Sequence, residues 1–338
     1  MKAIRLHELE GPESLSYEDV PDPEPGSGEI VVRLRNAAIN RRDVFVTQGQ
    51  YPGAKPDALP IILGSDGSGE VAARGGGADG PDEGTEVVIN PSLYWGDNPK
   101  VPGKEYRILG LPDDGTYAQF VKVPADHVFP KPSHLSHEEA AALPLAALTA
   151  YRALFTRGGL QEGETVLVPG VGSGVATFVV QMASATGAKV FVTSGSDEKL
   201  EKAKELGAEG GINYNSENWS KELKDMTGGV DLSVDHVGGE GFDALVSLAK
   251  PGSRIVTFGS TAGPKVTVVM PRIFLKWLDV FGTAMGSPED FRSMLEFYEK
   301  HELHPVINET FSLEETAAAM NHMEEGAGMG KIVLDIPA

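Results

Sequence analysis

A glycine-rich turn between a strand-like run and a helix-like run restricts the fold of this chain more than any other segment. It lies in "VLVPGVGSGVATFVVQMA", where Gly170, Gly172 and Gly174 follow the apolar run and Ala176 stands where a small residue lets a helix pack closely. Backbone N–H groups of such a turn can approach a pyrophosphate at the helix N-terminus. An ordinary tight turn can have the same composition, so the pattern around the turn must distinguish it from a dinucleotide-binding site.

Strand-like and helix-like runs alternate on both sides of this turn. They include "KVFVTS", "DEKLEKAKELGA", "GINY", "VDLSVDHVG" and "RIVTFGS". Alternation of this kind builds a parallel sheet with helices on both faces. We therefore predict an α/β fold with a doubly wound dinucleotide-binding domain over residues 125–286. The predicted contacts from its turn are Gly170, Gly172, Ser173, Gly174 and Val175.

The end of the second predicted strand indicates which dinucleotide is bound. An acidic side chain there would accept hydrogen bonds from the adenosine ribose and repel a 2′-phosphate. The chain has "VTSGSDEKL" instead, with Ser194, Ser196 and Lys199 as predicted contacts. Small hydroxyls with a nearby cation favour NADP(H) over NAD(H). The alternative is that Ser196 only caps the helix and Lys199 is solvated, and Asp197 and Glu198 weaken the positive field.

The rest of the chain has a different pattern. The pattern of residues 1–124 predicts short strands between Gly- and Pro-rich loops, which is typical of an all-β domain. The segment 287–338 predicts two helices and a last strand that returns to this first domain. An Ala-rich helix is predicted to begin near Ser136, with Glu139 three residues on as a capping box and Glu138 beside it. The length of 338 residues agrees with two domains.

Composition excludes several classes of function. A formal charge of -20 would repel nucleic acid and anionic lipid, so neither is expected as a partner. No run approaches the ~20 apolar residues that cross a bilayer, and the first residues contain no apolar signal core, so we expect a cytoplasmic protein. The chain has no cysteine, which excludes disulfides, thiolate nucleophiles and Cys-based zinc sites.

Four segments together resemble a known family. They are "NRRDVFVTQGQY", "GSDGSGEV", "PKPSHLSHEEAAALPLAALTAYRAL" and the terminal "GKIVLDI". With the alternating second half, they make the chain similar to the medium-chain dehydrogenase/reductases, and most closely to the zinc-free quinone oxidoreductase branch. The resemblance spans nearly the whole chain. It implies a β-rich GroES-like catalytic domain, over residues 1–124 and 287–338, beside the Rossmann domain.

The resemblance also locates the residues that bind zinc in other branches. There a Gly-His-Glu triplet supplies one ligand and a cysteine begins another loop. The matching positions here are Gly64, Ser65 and Asp66 in one segment and Asn40 in the other, and "SLYWGDNPKVPGKEYRILG" replaces the structural zinc lobe. A serine hydroxyl is a poor zinc ligand, so no metal is expected. We interpret "ILGSDGSGEV" as a turn in which Asp66 is structural.

Further site residues follow from the resemblance alone. Tyr51 is the candidate acid or oxyanion donor with Asn40 as its hydrogen-bond partner, although Tyr51 could be an aromatic lid and Asn40 could only shape the loop. Tyr94 and Trp95 would line the substrate pocket or simply pack, and His127 and His236 show no ligand spacing. The remaining implied cofactor contacts are Thr149, Tyr214, Val237, Gly259, Ser260 and, from the other domain, Lys331.

The leading hypothesis is an NADPH-dependent, zinc-independent oxidoreductase that transfers hydride to a quinone or an α,β-unsaturated carbonyl. Loss of zinc favours these substrates, because the anion left by hydride addition is delocalised. We expect a homodimer formed through strands around "KVTVVM" and "VFGTAMG". The alternatives are an NADPH-binding scaffold or redox sensor with little turnover, and an alcohol dehydrogenase with an unusual metal site.

Overall fold

The computed structural model describes residues 1–326 and 328–338. It contains two compact units, one of residues Met1–Ala146 with Gly286–Ala338 and one of residues Ala147–Met285. The first boundary lies later than the predicted 124/125. The reason is that the segment after residue 124 adds a strand to the first unit's sheet and a helix whose Ala142 packs between Ala38 and Val333.

The first unit is built mainly from strands. Numbered along the whole chain, its strands are β1 (Lys2–Leu6), β2 (Leu15–Asp19), β3 (Glu29–Ala38), β4 (Ile61–Ile62), β5 (Asp66–Arg74), β6 (Glu86–Ile89), β7 (Ser92–Leu93), β8 (Arg107–Ile108), β9 (Phe120–Pro124), β10 (Val128–Pro130), β17 (Ile307–Ser312) and β18 (Lys331–Asp335). Its helices are α1 (Arg41–Thr47), α2 (His137–Ala142), α9 (Pro288–His301) and α10 (Thr316–Glu325).

The last strand of the chain returns to the first unit, as predicted. The main sheet has the order β10-β6-β5-β3-β18-β17, with β9 also paired to β3. Strand β18 is antiparallel to β3 and parallel to β17. Smaller sheets are formed by β2-β1-β4 and β7-β8. The interior is aliphatic, with Ile4, Leu34, Leu63, Ile89 and Leu334 all buried.

Two local predictions in this unit were wrong. The all-β pattern missed α1, which begins after Asn40, where the Asp43 carboxylate accepts the Asn40 backbone N–H at 2.9 Å. The segment "ILGSDGSGEV" is mostly strand β5 rather than a turn, and only Gly64, at φ +100°, has a left-handed backbone. Helix α2 begins as predicted, with Ser136 and Glu139 forming the capping box.

The second unit is a parallel sheet between helices. Its strands are β11 (Thr165–Val168), β12 (Lys189–Ser194), β13 (Gly210–Asn213), β14 (Val230–Asp235), β15 (Ala249–Thr257) and β16 (Asp279–Gly282). Helix α3 (Pro144–Tyr151) crosses the boundary and continues as a π-helical segment, Arg152–Arg157. The further helices are α4 (Gly174–Ala185), α5 (Asp197–Glu205), α6 (Trp219–Thr227), α7 (Phe242–Leu248) and α8 (Met270–Phe274).

The strand order confirms the predicted doubly wound fold. All five pairings are parallel in the order β13-β12-β11-β14-β15-β16, which reverses direction at β11 as dinucleotide-binding sheets do. The apolar side chains of Leu167, Leu223, Val246 and Ile255 fill its core. Residues 265–269 of "KVTVVM" form no strand, contrary to the prediction. Within the described residues, no helix is long and apolar enough to cross a membrane.

Candidate active site and cofactor site

The glycine-rich turn of the second unit has backbone angles that residues with a side chain rarely adopt. Gly170 has φ +67°, and a Cβ there would lie 2.9 Å from Cγ2 of Val237. Gly172 has φ +145°, and a Cβ there would lie 3.1 Å from Cδ of Lys199. Both positions therefore require glycine. Backbone N–H groups and the nearby Lys199 side chain make this turn suitable for binding a pyrophosphate.

Helix α4 begins directly after this turn. Ser173 is its N-cap and accepts a hydrogen bond from the Ala176 backbone N–H at 3.2 Å. Gly174 and Val175 are the first two helical residues, whose N–H groups have no carbonyl partner within the helix. The helix N-terminus therefore offers donors and a partial positive charge to an anion.

Residues at the carboxyl ends of β14 and β15 meet at the same turn. Val237 donates its backbone N–H to Asp235 at 3.0 Å, and a Cβ at Gly259 would lie 2.7 Å from the His236 carbonyl oxygen. The neighbouring Ser260 is exposed. These ends of the parallel strands are where open α/β sheets bind ligands.

His236 belongs to this cluster although its spacing in the sequence gave no reason to choose it. Its Nε2 lies 3.3 Å from Oγ of Ser173, and its ring stacks on Phe258 with a centroid distance of 6.0 Å. Burial lowers the pKa of the imidazole. Its position at the end of a predicted strand, directly before Val237, could have identified it.

The predicted contacts near the adenosine ribose lie together at the end of β12. Ser194 is buried and its Oγ accepts the Ser196 backbone N–H at 3.1 Å. Ser196 caps α5 by accepting the Lys199 N–H, as the capping alternative expects, whereas the Lys199 side chain lies against Gly172 and is not simply solvated. The ring of Tyr214 covers Gly195, since a Cβ there would lie 2.8 Å from the tyrosine oxygen. Binding of a 2′-phosphate at this turn stays a prediction.

Lys331 does not have the role of cofactor contact that the resemblance implies. Its ammonium group is buried in the first unit and donates to the Ile39 carbonyl at 2.9 Å, to Oδ1 of Asn40 at 2.7 Å and to Oδ2 of Asp66 at 2.9 Å. Three hydrogens and three acceptors leave no donor for a ligand. Lys331 is therefore corrected from a cofactor ligand to a residue that holds Asn40 and Asp66. Thr149, another of the implied cofactor contacts, is buried on α3.

Asp66 is the centre of this buried network. Its Oδ2 also accepts from Nδ2 of Asn40 at 2.9 Å, and its Oδ1 accepts from the Leu145 backbone N–H at 2.8 Å. The Asn40 side chain is thus held between Lys331 and Asp66. It does not hydrogen-bond Tyr51, so that expectation is wrong, and its contacts agree with the loop-shaping alternative for Asn40.

A second buried cluster surrounds Arg42, which the sequence analysis did not select. Its Nη1 donates to Oγ of Ser65 at 2.8 Å and to the Leu109 carbonyl at 3.0 Å, and lies 3.5 Å from Oδ1 of Asp43. Its guanidinium carbon lies 4.8 Å from the centre of the Tyr51 ring. The partly exposed Tyr51 therefore covers a buried cation. The two adjacent arginines in "NRRD" were the sequence feature that could have pointed to a cation here.

Asp43 is completely buried beside this cation. Its Oδ2 accepts from the Tyr117 hydroxyl at 2.7 Å as well as from the Asn40 N–H. Burial raises the pKa of Asp43, although the Arg42 charge opposes the shift. Burial and the adjacent Asp43 raise the pKa of Tyr117 well above its usual range. Tyr117 therefore stays a neutral donor to this carboxyl.

These residues do not suit the zinc that the wider family binds. Ser65 donates its hydroxyl to the Leu109 carbonyl at 2.8 Å and also contacts Arg42, while the Asn40 amide is held by Lys331 and Asp66. The fixed positive charges of Arg42 and Lys331 would repel a zinc ion at this position. Among the described residues, no three His, Cys, Asp or Glu side chains are grouped so that they could hold a metal ion.

The segment that replaces the structural zinc lobe contains one packed and one exposed aromatic residue. Trp95 is buried and donates its Nε1–H to the Asn98 carbonyl at 2.9 Å, which agrees with the packing alternative. Tyr94 is 41% exposed and lies under the Arg107 guanidinium at 4.4 Å. It borders a surface cavity of about 550 Å³ in the first unit.

Comparison with known proteins identifies the family. Residues 26–133 match the alcohol dehydrogenase GroES-like domain, and residues 174–300 match the zinc-binding dehydrogenase family. A zinc-type alcohol dehydrogenase-like protein YogA from Leptosphaeria maculans is 36% identical over 94% of this chain and 93% of its own. An acryloyl-coenzyme A reductase from Sulfurisphaera tokodaii is 29% identical over 99% of both chains.

A solved structure agrees with these matches. The crystal structure of an NAD-dependent alcohol dehydrogenase is 39% identical, covers 100% of both chains and superimposes with a TM-score of 0.94. The two family matches together account for the GroES-like unit and the parallel-sheet unit. The chain therefore belongs to the medium-chain dehydrogenase/reductase superfamily of nicotinamide-dependent oxidoreductases.

Proposed function

We propose that this protein is an NADPH-dependent, zinc-independent reductase of α,β-unsaturated carbonyl compounds. The carrying observation is that Asn40 and Ser65, at the positions of zinc ligands in related enzymes, are hydrogen-bonded to two buried cations, Lys331 and Arg42. Hydride addition to a simple carbonyl concentrates charge on one oxygen and benefits from a metal. Addition to an enone gives a delocalised enolate that fixed hydrogen-bond donors can stabilise.

The proposed cofactor site is the glycine-rich turn with the start of α4. When bound there, the reduced nicotinamide cofactor supplies the hydride. The turn and the α4 N-terminus hold the pyrophosphate, and Ser194, Ser196 and Lys199 receive the 2′-phosphate. The absence of a carboxylate at the end of β12 supports NADPH. The similar NAD-dependent alcohol dehydrogenase supports NADH as the alternative cofactor.

The substrate class receives support from a relative. The acryloyl-coenzyme A reductase, whose name describes an α,β-unsaturated thioester, matches 99% of this chain. We propose Tyr51 as the acid or oxyanion donor, because no described residue hydrogen-bonds its hydroxyl and its side chain is partly exposed. Quinones belong to the same proposal, since they also accept hydride and form a delocalised anion.

We propose that the protein is a homodimer that pairs through the second unit. Strand β16 is an edge of the parallel sheet, and an exposed strand edge is a template for pairing. Beside it lie exposed apolar side chains: Phe274 is 58% exposed, Leu275 65% and Trp277 76%. A patch of this kind is typical of an interface.

The decisive experiment is NADPH and NADH oxidation with a panel of enones, enoyl thioesters, quinones and aldehydes, alongside cofactor binding measured by fluorescence. The proposal predicts turnover with conjugated substrates and little with saturated aldehydes. Tight NADPH binding without turnover on any substrate would favour a scaffold or sensor. Preferential turnover of saturated aldehydes, lost in chelator, would favour an alcohol dehydrogenase with an unusual metal site.

A further inference from the structure

One edge of the Arg42 guanidinium is buried without a hydrogen-bond partner. The side chain is 8% exposed, and Nη1 is anchored by Ser65 and the Leu109 carbonyl. Nε and Nη2, on the other side of the same planar group, contact no acceptor among the described residues. Anchoring at one end thus fixes the direction in which the opposite edge points.

A buried charged donor without an acceptor is costly, and native proteins rarely leave one without reason. The Nε–H and one Nη2–H run parallel, and this fork matches the two oxygens of a carboxylate or converges on one oxyanion. The missing partner is therefore an oxygen with negative charge or with developing negative charge. A neutral apolar group would leave both donors unsatisfied.

The charges around Arg42 leave this edge positive. Asp43 contacts Nη1 rather than the free edge, and its other oxygen is held by the Tyr117 hydroxyl and the Asn40 N–H. The other nearby carboxylate, that of Asp66, is paired with Lys331. Neither carboxylate satisfies Nε or Nη2, so an incoming anion would meet two unpaired N–H donors of a cation whose charge Asp43 offsets only at Nη1.

We propose that Arg42 is a catalytic residue whose Nε–Nη2 edge binds the carbonyl oxygen of an α,β-unsaturated acyl substrate and stabilises its enolate. This inference rests on the proposed function. Hydride adds to the β-carbon, the C=C π electrons shift to form a new Cα–C double bond, and the carbonyl π electrons move onto oxygen. Arg42 holds that oxygen until the Tyr51 hydroxyl or a water molecule protonates the α-carbon and the saturated carbonyl re-forms.

Access to this edge requires a small movement. Nε and Nη2 are shielded from solvent, and the ring of Tyr51 covers the guanidinium while being partly exposed itself. We infer that substrate reaches the edge by displacing this ring, because Tyr51 contacts the guanidinium and is itself partly exposed. Its displacement would exchange a cation–π contact for two charge-assisted hydrogen bonds, which are stronger.

The test compares Arg42→Lys with the wild type and with Arg41→Ala, a control at the exposed neighbouring arginine. Lysine keeps the charge but loses the fork. We expect kcat/KM for a crotonyl thioester to fall about 10²–10³-fold, as on loss of an oxyanion donor, while the Kd of NADPH stays within about twofold, a small change on the free-energy scale. Butyrate should inhibit the wild type competitively and bind at least about tenfold more weakly to Arg42→Lys, because both oxygens lose their fork.

Unchanged kcat/KM or an unchanged butyrate inhibition constant in folded Arg42→Lys would overturn the inference. Should that variant fail to fold, wild-type crystals soaked in butyrate decide: a carboxylate on Nε and Nη2 supports the inference, and butyrate bound only elsewhere overturns it. A wild-type protein that reduces no conjugated substrate would refute the proposed function instead. Arg42-dependent butyrate binding would in that case still support the anion-binding edge.

Discussion

Replacing Lys331 by methionine would remove the cation at the centre of the buried network. Asp66, fully buried, would keep the Asn40 and Leu145 donors but lose its ion pair. Removing one member of a buried pair costs about 3–5 kcal/mol, because the remaining charge is left uncompensated. For a unit of this size each kcal/mol shifts Tm by roughly 2–4 °C, so we expect a loss of about 6–20 °C.

Unfolding of the first unit can be followed through one tryptophan. Trp95 lies buried there, whereas Trp219 and Trp277 lie in the second unit, so a Trp219→Phe/Trp277→Phe background isolates the reporter. Adding Asp66→Asn to Lys331→Met removes the orphaned charge and should recover at least about half of the loss. A Lys331→Met variant within about 1 kcal/mol of the background, or no recovery in the double variant, would refute the argument, since the predicted cost is larger.

Four other predictions test the site and the assembly. Tyr51→Phe keeps the ring over Arg42, and if the hydroxyl donates to the oxyanion then kcat on an enone falls about 10²–10³-fold with little change in NADPH affinity; unaltered kcat would assign Tyr51 to packing. Ser194→Asp should raise the NADPH KM about tenfold to a hundredfold by repelling the 2′-phosphate, while NADH is little affected; an unchanged ratio of the two KM values would contradict the cofactor assignment. Metal analysis should find no stoichiometric zinc, and activity should persist in chelator; one equivalent lost together with activity would restore a metal mechanism. Trp277→Glu should turn a dimer into a monomer in sedimentation, and a variant that stays dimeric would place the interface elsewhere.

Features that depend on neighbouring residues were predictable from the sequence. The glycine-rich turn, the alternation of strands and helices, and the Ser136–Glu139 capping box are local, and the structure has all three. The short helix α1 was missed because seven residues after a long strand give too little periodicity to distinguish helix from loop.

Contacts between distant residues were not predictable in this way. Lys331 and Asn40 lie 291 residues apart and meet only because β18 pairs with β3. Arg42 and Ser65 are 23 residues apart, on different elements. The sequence identified Asn40, Ser65, Asp66 and Lys331 one by one, but assigned them separate roles, since no single-sequence pattern reports which buried donors share an acceptor.

The position of β18 also determines the order in which the protein can fold during synthesis. The second unit is one continuous stretch and can form as soon as it leaves the ribosome, whereas the first unit waits for β17 and β18, which follow the second unit in sequence. Until then the last residues of β3, from Asn36 to Ala38, lack a strand partner on one side, and Asp66 has no ammonium partner. The main sheet can therefore close, and the buried charge be neutralised, only after β18 has been made, so truncation before Lys331 would leave an open strand edge prone to aggregation.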